Sequence, residues 1–508
     1  MSSGPHPSRE LPDRPNLRYL KIEAKRRLAA GEFPVLHDAQ AAIAREHGLP
    51  NWAALKQQIR DQEEQRSAAL GQLRWVIGRF APAGEPSWVS PGEDELREHF
   101  DDTFLAALPP AELARQIASA AADLREELVV LGHGQLAARV RLGSREVRVV
   151  VEPRPPHRIT GLNTSIAASG ITDARVAAPP PARTEGDVPA GMAELASQAR
   201  AELGVAALAV AGGDPGAQPW VVTAGWSDLD RAEPAEPRHR FPAPGLAALV
   251  TAVAVLRLVA EGTAGLDTPA GEYLRTLRLA DETITVRELL SHTAGVSNPA
   301  PLYAEAVPDL VSLLGPVAAC EGPRGTLWPS NGGCAVLGQL LADLTGSPFA
   351  QAAADLVLAP LGMLDSSFPA SLDSLGPDAV SGYTVTRDGV FTPVRARICT
   401  IQAAGGLWAT PADLIRLGTG WSSLLPPDLA SAAVTAQTPL GPGFLGGLGW
   451  LVSPGADTAM LGGAAADSAA TLTIRIRDNR AHVTVTSGQA AIGQVDEQVL
   501  NSWTNPAA

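Results

Sequence analysis

The spacing of apolar positions predicts a helical hairpin at the start of the chain. Residues 16–30 and 37–62 carry apolar side chains at helical spacing, and the segment Gly31-Glu32-Phe33-Pro34 interrupts that spacing. We assign residues 1–66 to this N-terminal helical module.

The second region, residues 67–175, changes from helical spacing to alternation. Segments 128–131, 135–142 and 145–152 alternate apolar and polar residues and are separated by turns that contain glycine. This order predicts helices followed by an antiparallel sheet, which together would form a small α+β domain.

Three successive prolines, Pro179 to Pro181, mark the next boundary, because they favour an extended and semi-rigid spacer. We expect a linker at 176–188 and a larger domain at 189–505. That domain begins with two β-rich runs, continues into a long apolar helix at 246–261 and ends in further strands. The chain is therefore predicted to be a multidomain α+β protein.

Composition narrows the classes of function. The net charge of -14 over 508 residues opposes binding to nucleic acid or to an anionic membrane. The most apolar stretch, Leu246 to Leu256, is far shorter than the ~20 residues that a membrane span needs. No secretory signal is visible at the N-terminus, so a cytoplasmic location is expected.

The three cysteines, Cys320, Cys334 and Cys399, are widely spaced and odd in number. This spacing is typical of buried reduced thiols and not of a disulfide framework or a zinc site. We expect neither a metal nor a cofactor.

Four segments of the C-terminal region carry a specific resemblance: ITVRELLSHTAGV (284–296), the PLGM segment within 325–368, GGLWATPADLIRLG (405–418) and LGGLGWLV (445–452). Their order resembles that of the serine β-lactamase and penicillin-binding-protein-like family, which includes class C enzymes, D-alanyl-D-alanine peptidases and esterases. The resemblance implies an antiparallel sheet flanked by helices.

The N-terminal regions carry weaker resemblances. LRYLKIEAKRRLAAG and DAQAAIAREHGLPNWAALKQQI resemble a small helical module found ahead of bacterial ankyrin-repeat and glyoxalase-superfamily domains. FDDTFLAALPPAELARQI and PPHRITGLN resemble the cone-shaped, ketosteroid-isomerase-like domain of certain clavulanic-acid-cluster proteins. The second resemblance implies a setting in specialised metabolism.

The family's catalytic motifs are degenerate in this chain. The family attacks a carbonyl with the Ser of S-x-x-K, and its Lys and a Tyr handle the proton. Here Gly245 stands at the Ser position, Ala248 at the Lys position, Pro329 at the Tyr of Y-x-N and Leu461 at the polar residue of the H-x-G strand.

Lysine content tests this conclusion without any alignment. The only lysines are Lys21, Lys25 and Lys56, so residues 57–508 hold no lysine to act as a base in any register. Arginine stays protonated and cannot replace it. The chain is predicted to be a β-lactamase-related pseudoenzyme.

A pocket for a small acyl or β-lactam-like ligand is expected to remain, and the sequence leaves any protein partner open. The resemblance implies the lining residues Gly245, Asn331, Gly463 and Trp328, because helix N-terminal and strand N–H groups and an amide side chain accept carbonyls or carboxylates. Trp408 and Trp450 are expected in the core or in the pocket wall.

The alternative is an active hydrolase or acyltransferase that uses a non-standard catalytic group. Ser330 is the best replacement nucleophile because it lies beside the expected site, but the sequence places no base next to it. Ser291-His292 also invites a Ser–His interpretation. Adjacent residues point in different directions, however, and no carboxylate is placed to orient the imidazole.

Overall fold

The computed structural model of this protein forms two units, Met1–Thr164 and Ser165–Ala508. No helix among the described residues is both long enough and apolar enough to cross a membrane. The structure describes residues 17–29, 32–47, 49–56, 67–83, 85, 87–101, 104–105, 110–119, 121–133, 136–142, 145–152, 155–166, 172–299, 302–315, 317–320, 324–325, 330–386, 389–395, 397–439, 445–453, 455, 457–465, 467–488, 490 and 492–504.

Two helices, α1 (Leu17–Ala29) and α2 (Leu36–Glu46), open the first unit. Their apolar faces share a small core with the helical turn at 52–56. Arg27 holds the two helices together, since it donates through Nη1 and Nη2 to the two carboxylate oxygens of Glu46 at 2.5 and 3.0 Å.

In the rest of the first unit, the described residues form four helices that pack on a four-stranded sheet whose strands follow one another in sequence order. The β1–β2 and β2–β3 pairs are antiparallel. Membership of the ketosteroid-isomerase-like family stays a prediction. The elements are α3 (Ala68–Phe80), α4 (Glu93–His99), α5 (Pro110–Ser119), α6 (Ala121–Leu124), β1 (Leu128–His133), β2 (Ala137–Leu142), β3 (Arg145–Val151) and β4 (Ile159–Ile166).

A 10-stranded sheet forms the centre of the second unit, in the order β17-β18-β19-β20-β21-β22-β6-β7-β5, with β8 also paired to β7. Short two-stranded ladders join β10 to β12, β11 to β15, β13 to β14 and β9 to β16. The strands are β5 (Arg183–Glu185), β6 (Ala207–Gly213), β7 (Trp220–Asp228), β8 (Glu233–Pro234), β9 (Phe241–Pro242), β10 (Arg278–Leu279), β11 (Tyr303–Ala304), β12 (Val317–Ala318), β13 (Tyr383–Val385), β14 (Phe391–Pro393), β15 (Ile398–Cys399), β16 (Trp408–Ala409), β17 (Thr438–Pro439), β18 (Leu445–Gly446), β19 (Leu451–Val452), β20 (Thr458–Ala465), β21 (Ser468–Arg475) and β22 (Arg480–Thr486).

Helices cover both faces of this sheet, as the alternation along β6 requires. Ala207, Ala209 and Ala211 belong to the large core that contains α9, whereas Leu208 and Val210 belong to the core under α8 and α17. The helices are α7 (Ala174–Ala177), α8 (Met192–Leu203), α9 (Leu246–Ala260), α10 (Val286–Leu290), α11 (Leu310–Leu314), α12 (Asn331–Thr345), α13 (Phe349–Ala353), α14 (Gln402–Gly405), α15 (Pro411–Gly420), α16 (Pro427–Ala433) and α17 (Gly493–Thr504).

The segment predicted as a linker, 176–188, is only partly a spacer. Residues 179–182 lie outside helices and strands, but β5 pairs antiparallel with β7 through Arg183↔Thr223 and Glu185↔Val221. The segment therefore ends as an edge strand of the large sheet. The domain limits proposed from the sequence stay a prediction.

Asp173 fixes the chain just before this segment. Its carboxylate accepts hydrogen bonds from the Arg175 guanidinium and from the backbone N–H groups of Arg175 and Phe391. These bonds, that of the guanidinium first, hold the pKa of Asp173 at about 2, below its ordinary value of 3.8. Residues 172–177 are thereby anchored to β14 of the second unit.

We expect Asp173→Asn to destabilise the second unit at neutral pH by about 1–3 kcal/mol, because it removes a charged acceptor from a buried site. A carboxylate with a depressed pKa stabilises the fold fully above its unfolded pKa and loses that contribution as pH falls through its folded pKa. The difference between wild type and variant should therefore narrow as pH falls from about 4 toward about 2.

Differential scanning calorimetry from pH 7 down to the acid limit of the fold measures this difference. Asp230→Asn is the control, since Asp230 pairs with the same arginine at 2.6 Å but is 58% exposed, and its effect should be smaller. A penalty for Asp173→Asn that is the same at every pH would contradict the assignment.

Candidate active site

The position that the sequence predicts for the family nucleophile, Gly245, lies at the start of α9. Strand β9 pairs with β16 through Pro242↔Trp408, and the Ala243 N–H donates to the Leu407 carbonyl at 2.9 Å. Gly245 then caps the helix with φ of 81°. Side chains rarely adopt this left-handed backbone, so glycine is favoured here.

Strand β20 closes the space in front of Gly245. A Cβ built on Gly245 would lie 2.5 Å from the Gly462 carbonyl oxygen and 2.9 Å from the Gly463 nitrogen. The approach is mutual, because a Cβ on Gly463 would lie 2.9 Å from the Pro244 carbonyl oxygen. In this conformation backbone atoms fill the space that a nucleophilic side chain would need.

The position that the sequence predicts for the family lysine, Ala248, has an apolar side chain and apolar surroundings. Ala248 is half-buried and packs against a cluster that includes Cys334, Cys399 and Tyr303. Burial raises the pKa of the Cys334 thiol to about 12 and also raises that of Cys399. Both thiols are therefore protonated near neutral pH, so neither supplies a nucleophilic thiolate. As predicted, these two cysteines are buried and free, while Cys320 is half-buried and free.

Ser330 serves as the N-cap of α12. Its hydroxyl donates to the Val296 carbonyl at 2.5 Å and accepts from the Gly333 N–H at 3.0 Å, and the residue is 5% exposed. Asn298 supports the same helix start, since its Oδ1 accepts from the Asn331 N–H at 2.7 Å. Side chains of this type commonly satisfy the free N–H groups of a helix.

His292 contacts the backbone of Ser330 and not its hydroxyl. The Ser330 N–H points to His292 Nδ1 at 3.5 Å. Desolvation lowers the pKa of His292 to about 4, so the imidazole is neutral at pH 7. The adjacent Ser291 hydroxyl donates to the Arg287 carbonyl at 2.9 Å. The described contacts thus assign local structural roles to Ser291 and Ser330.

The structure brings together some of the residues that the sequence singled out. The first turns of α9 and α12 pack through Ala248, Cys334 and Ala335, so Gly245 and Asn331 begin neighbouring helices. Gly463 and Asn331 are half-buried, whereas Leu461 is 7% exposed and belongs to the core. Trp328 and Pro329 lie outside the described residues. Trp408 and Trp450 are both buried, as predicted.

Beside this site lies an ion pair that sequence reasoning missed. Arg397 Nε donates to Asp467 Oδ2 at 2.7 Å, and the two side chains are 8% and 7% exposed. The guanidinium carbon lies 4.7 Å from the centre of the Trp408 ring. The partners are 70 residues apart, and no spacing rule for helices or strands connects them. A solitary Asp after three alanines was the only signal in the sequence.

Comparison with known proteins agrees with this architecture. Esterase EstB of Burkholderia gladioli is 30% identical over 194 residues, which are 34% of this chain and 48% of EstB. The D-alanyl-D-alanine-carboxypeptidase/endopeptidase AmpH of Escherichia coli strain K12 is 26% identical over 183 residues, which are 34% of this chain and 46% of AmpH. The matches thus span about half the length of these curated relatives.

A solved structure shows the same fold. The penicillin-binding protein from Bacillus halodurans superposes with a TM-score of 0.52 at 20% identity, over 58% of this chain and 94% of that protein. The Beta-lactamase family profile matches residues 191–496, which are more than half of the 508 residues. This chain belongs to the β-lactamase family.

Proposed function

We propose that the second unit is a non-catalytic member of the β-lactamase family that binds a small acyl or β-lactam-like ligand without turning it over. The observation that carries the proposal is the backbone contact at Gly245. The residue lacks the nucleophile, and a Cβ there would lie 2.5 Å from the Gly462 carbonyl oxygen.

The size of the expected loss in kcat supports the absence of turnover. Removal of the nucleophile of a serine hydrolase lowers kcat by about 10⁶, and the rest of the catalysis comes from the oxyanion hole and from binding. The base is missing too, since residues 57–508 contain no lysine. Chemistry at this rate would be too slow for a physiological hydrolase.

Ligand binding is the function that the remaining groups support. Gly245, Ala248, Asn331 and Gly463 are half-buried, so each keeps some contact with solvent. The named relatives are an esterase and a peptidase, and their names point to acyl compounds as the ligand class. A protein-scaffolding role is the second form of the same non-catalytic proposal.

The alternative of an active hydrolase requires Ser330 as the nucleophile. Its hydroxyl hydrogen bonds to the Val296 carbonyl, and its oxygen accepts from the Gly333 N–H. Attack on a substrate would break both bonds and uncap α12. We therefore favour the non-catalytic role.

Purified protein should hydrolyse neither nitrocefin nor p-nitrophenyl esters faster than a heat-denatured sample, because positions 245 and 248 supply neither nucleophile nor base. Steady-state absorbance assays on wild type and on Ser330→Ala measure this. Turnover that Ser330→Ala abolishes would overturn the proposal and identify Ser330 as the nucleophile. Turnover that survives this change would point to another group, with His292 the next to replace.

Gly245→Ser should destabilise the second unit more than Gly262→Ser does. Both glycines have positive φ, 81° and 73°, and they flank α9. A Cβ at Gly262 meets nothing within 4 Å, so its substitution should cost only the left-handed penalty of about 1–2 kcal/mol. Gly245→Ser adds an overpacking penalty of about 1–3 kcal/mol against β20.

Calorimetry of the two single variants compares these penalties. Equal penalties would mean that β20 moves aside freely and that the site keeps room for a side chain. A fluorophosphonate probe supplies the chemical readout on the variant that combines Gly245→Ser, Ala248→Lys, Pro329→Tyr and Leu461→His. We expect weak labelling at best, because the added lysine enters an apolar cluster and must be desolvated. Strong labelling would show that only the reactive groups were lost.

A further inference from the structure

We propose that Arg397 is the anchor of a carboxylate-binding site, and that Asp467 occupies this site in the present structure until an acidic ligand displaces it. The proposal rests on the proposed binding function and adds the chemical class of the ligand, a carboxylate anion. Its starting observation is an incomplete ion pair.

Arg397 uses only two of its three nitrogens. Nε donates to Asp467 Oδ2 at 2.7 Å, and Nη1 donates to the Val380 carbonyl at 2.8 Å. Nη2 is buried and has no hydrogen-bond partner among the described residues. A buried donor without an acceptor is unfavourable, and more so on a charged group than on a neutral one.

Other arginine–carboxylate pairs of this chain have a second hydrogen bond, from Nη2, which the Arg397–Asp467 pair lacks. In six pairs among the described residues Nε and Nη2 each donate to a different oxygen of one carboxylate, which is the two-point geometry that a guanidinium prefers. Asp467 binds Nε alone, and its second oxygen accepts from the Ser468 hydroxyl at 3.3 Å. The six complete pairs are Arg79–Glu95, Arg175–Asp173, Arg287–Asp267, Arg324–Glu288, Arg475–Asp478 and Arg480–Asp214.

The incomplete pair is more deeply buried than these six. Both side chains of the Arg397–Asp467 pair are less than a tenth exposed, whereas at least one partner in each of the six complete pairs is more than a third exposed. A buried ion pair repays its desolvation only when its geometry and remaining hydrogen bonds are good. A ligand carboxylate with two free oxygens would satisfy both Nε and Nη2, which Asp467 does not.

The site adjoins the degenerate catalytic centre. The Trp408 ring lies under the guanidinium, and the same residue pairs with Pro242, three residues before Gly245. Cys399, two residues after Arg397, packs in the cluster that contains Ala248. These contacts connect Arg397 to the strand that leads to Gly245 and to the cluster around Ala248.

The position of Asp467 would let its side chain move away from Arg397. It lies in the turn between β20 and β21, outside the ladder that ends at Ala465↔Ser468. Movement of this turn would free the guanidinium and leave the ladder intact. Glycine at 382 leaves room for the carboxylate and the guanidinium, because a Cβ there would collide with both.

The test is chemical rescue with acetate as the probe. Asp467→Ala leaves a buried, unpaired guanidinium and should lower the thermal midpoint of the second unit. Saturating sodium acetate should raise the midpoint of this variant by about 2–4 °C over sodium chloride of equal ionic strength, through linkage of binding to stability. Acetamide, which has the same shape without the charge, should not.

Arg397 is tested in the same assay. The double variant Asp467→Ala, Arg397→Gln removes both charges, a change that buried pairs often tolerate, and it should lose the response to acetate. Arg395→Gln is the matched control, since this exposed arginine lies two residues away and its replacement should leave the wild-type response unchanged. Should Asp467→Ala not fold, Asp467→Asn undergoes the same measurements under the same criteria.

The response of the wild-type thermal midpoint to acetate tests whether a ligand displaces Asp467. We expect a smaller midpoint shift with acetate than in Asp467→Ala, and its loss in Arg397→Gln. No rescue of a folded Asp467 variant, rescue that persists without Arg397, or no response of wild type at acetate that saturates the variant would each overturn this inference. Hydrolysis is a separate readout, so turnover would overturn the proposed function without deciding this one.

Discussion

The second unit depends on one helix that has no polar face. All but four of the 15 residues of α9 are buried, and its first turn meets strand β20 backbone to backbone. A helix that is apolar all round must be covered on every side. The sheet and several other helices of the unit share one core with it. Thr251 is its one buried polar residue, and its hydroxyl lies 3.0 Å from the Ala247 carbonyl and 2.8 Å from that of Ala403.

This constraint explains which parts of the fold the sequence could predict. The mostly apolar segment 246–261 indicates a buried element, and its length favours a helix, observed as Leu246–Ala260. The two β-rich runs before this helix were also found as strands, β6 and β7, because their apolar residues repeat locally. The pairing of Arg183–Glu185 with β7 was not predictable in this way. It joins residues about 40 positions apart, and three exposed edge residues carry no apolar pattern.

The candidate site likewise has features that the sequence could predict and features that it could not. The loss of the catalytic side chains at Gly245 and Ala248 stays a prediction, which motif order and lysine content support because both are properties of the sequence itself. The close contact between Gly245 and strand β20 could not be predicted from the sequence, because it depends on how near two backbone segments approach in space. The Arg397–Asp467 pair was equally hidden, as its partners meet only after β15 and the β20–β21 turn have been positioned by the sheet. Long-range polar contacts of this kind follow from tertiary packing and leave no local periodicity.

The edge strand β5 has a consequence for how this domain can be isolated. The family match begins at residue 191, after β5, so a chain shortened to that limit would lose the strand that covers β7 at 221–223. Those positions of β7 would then present unpaired N–H and C=O groups on an apolar strand, which is a template for pairing with another chain. Arg183 and Glu185 are exposed and charged, and charges on an outermost strand oppose further strand addition. The few residues ahead of the family domain therefore protect it from self-association.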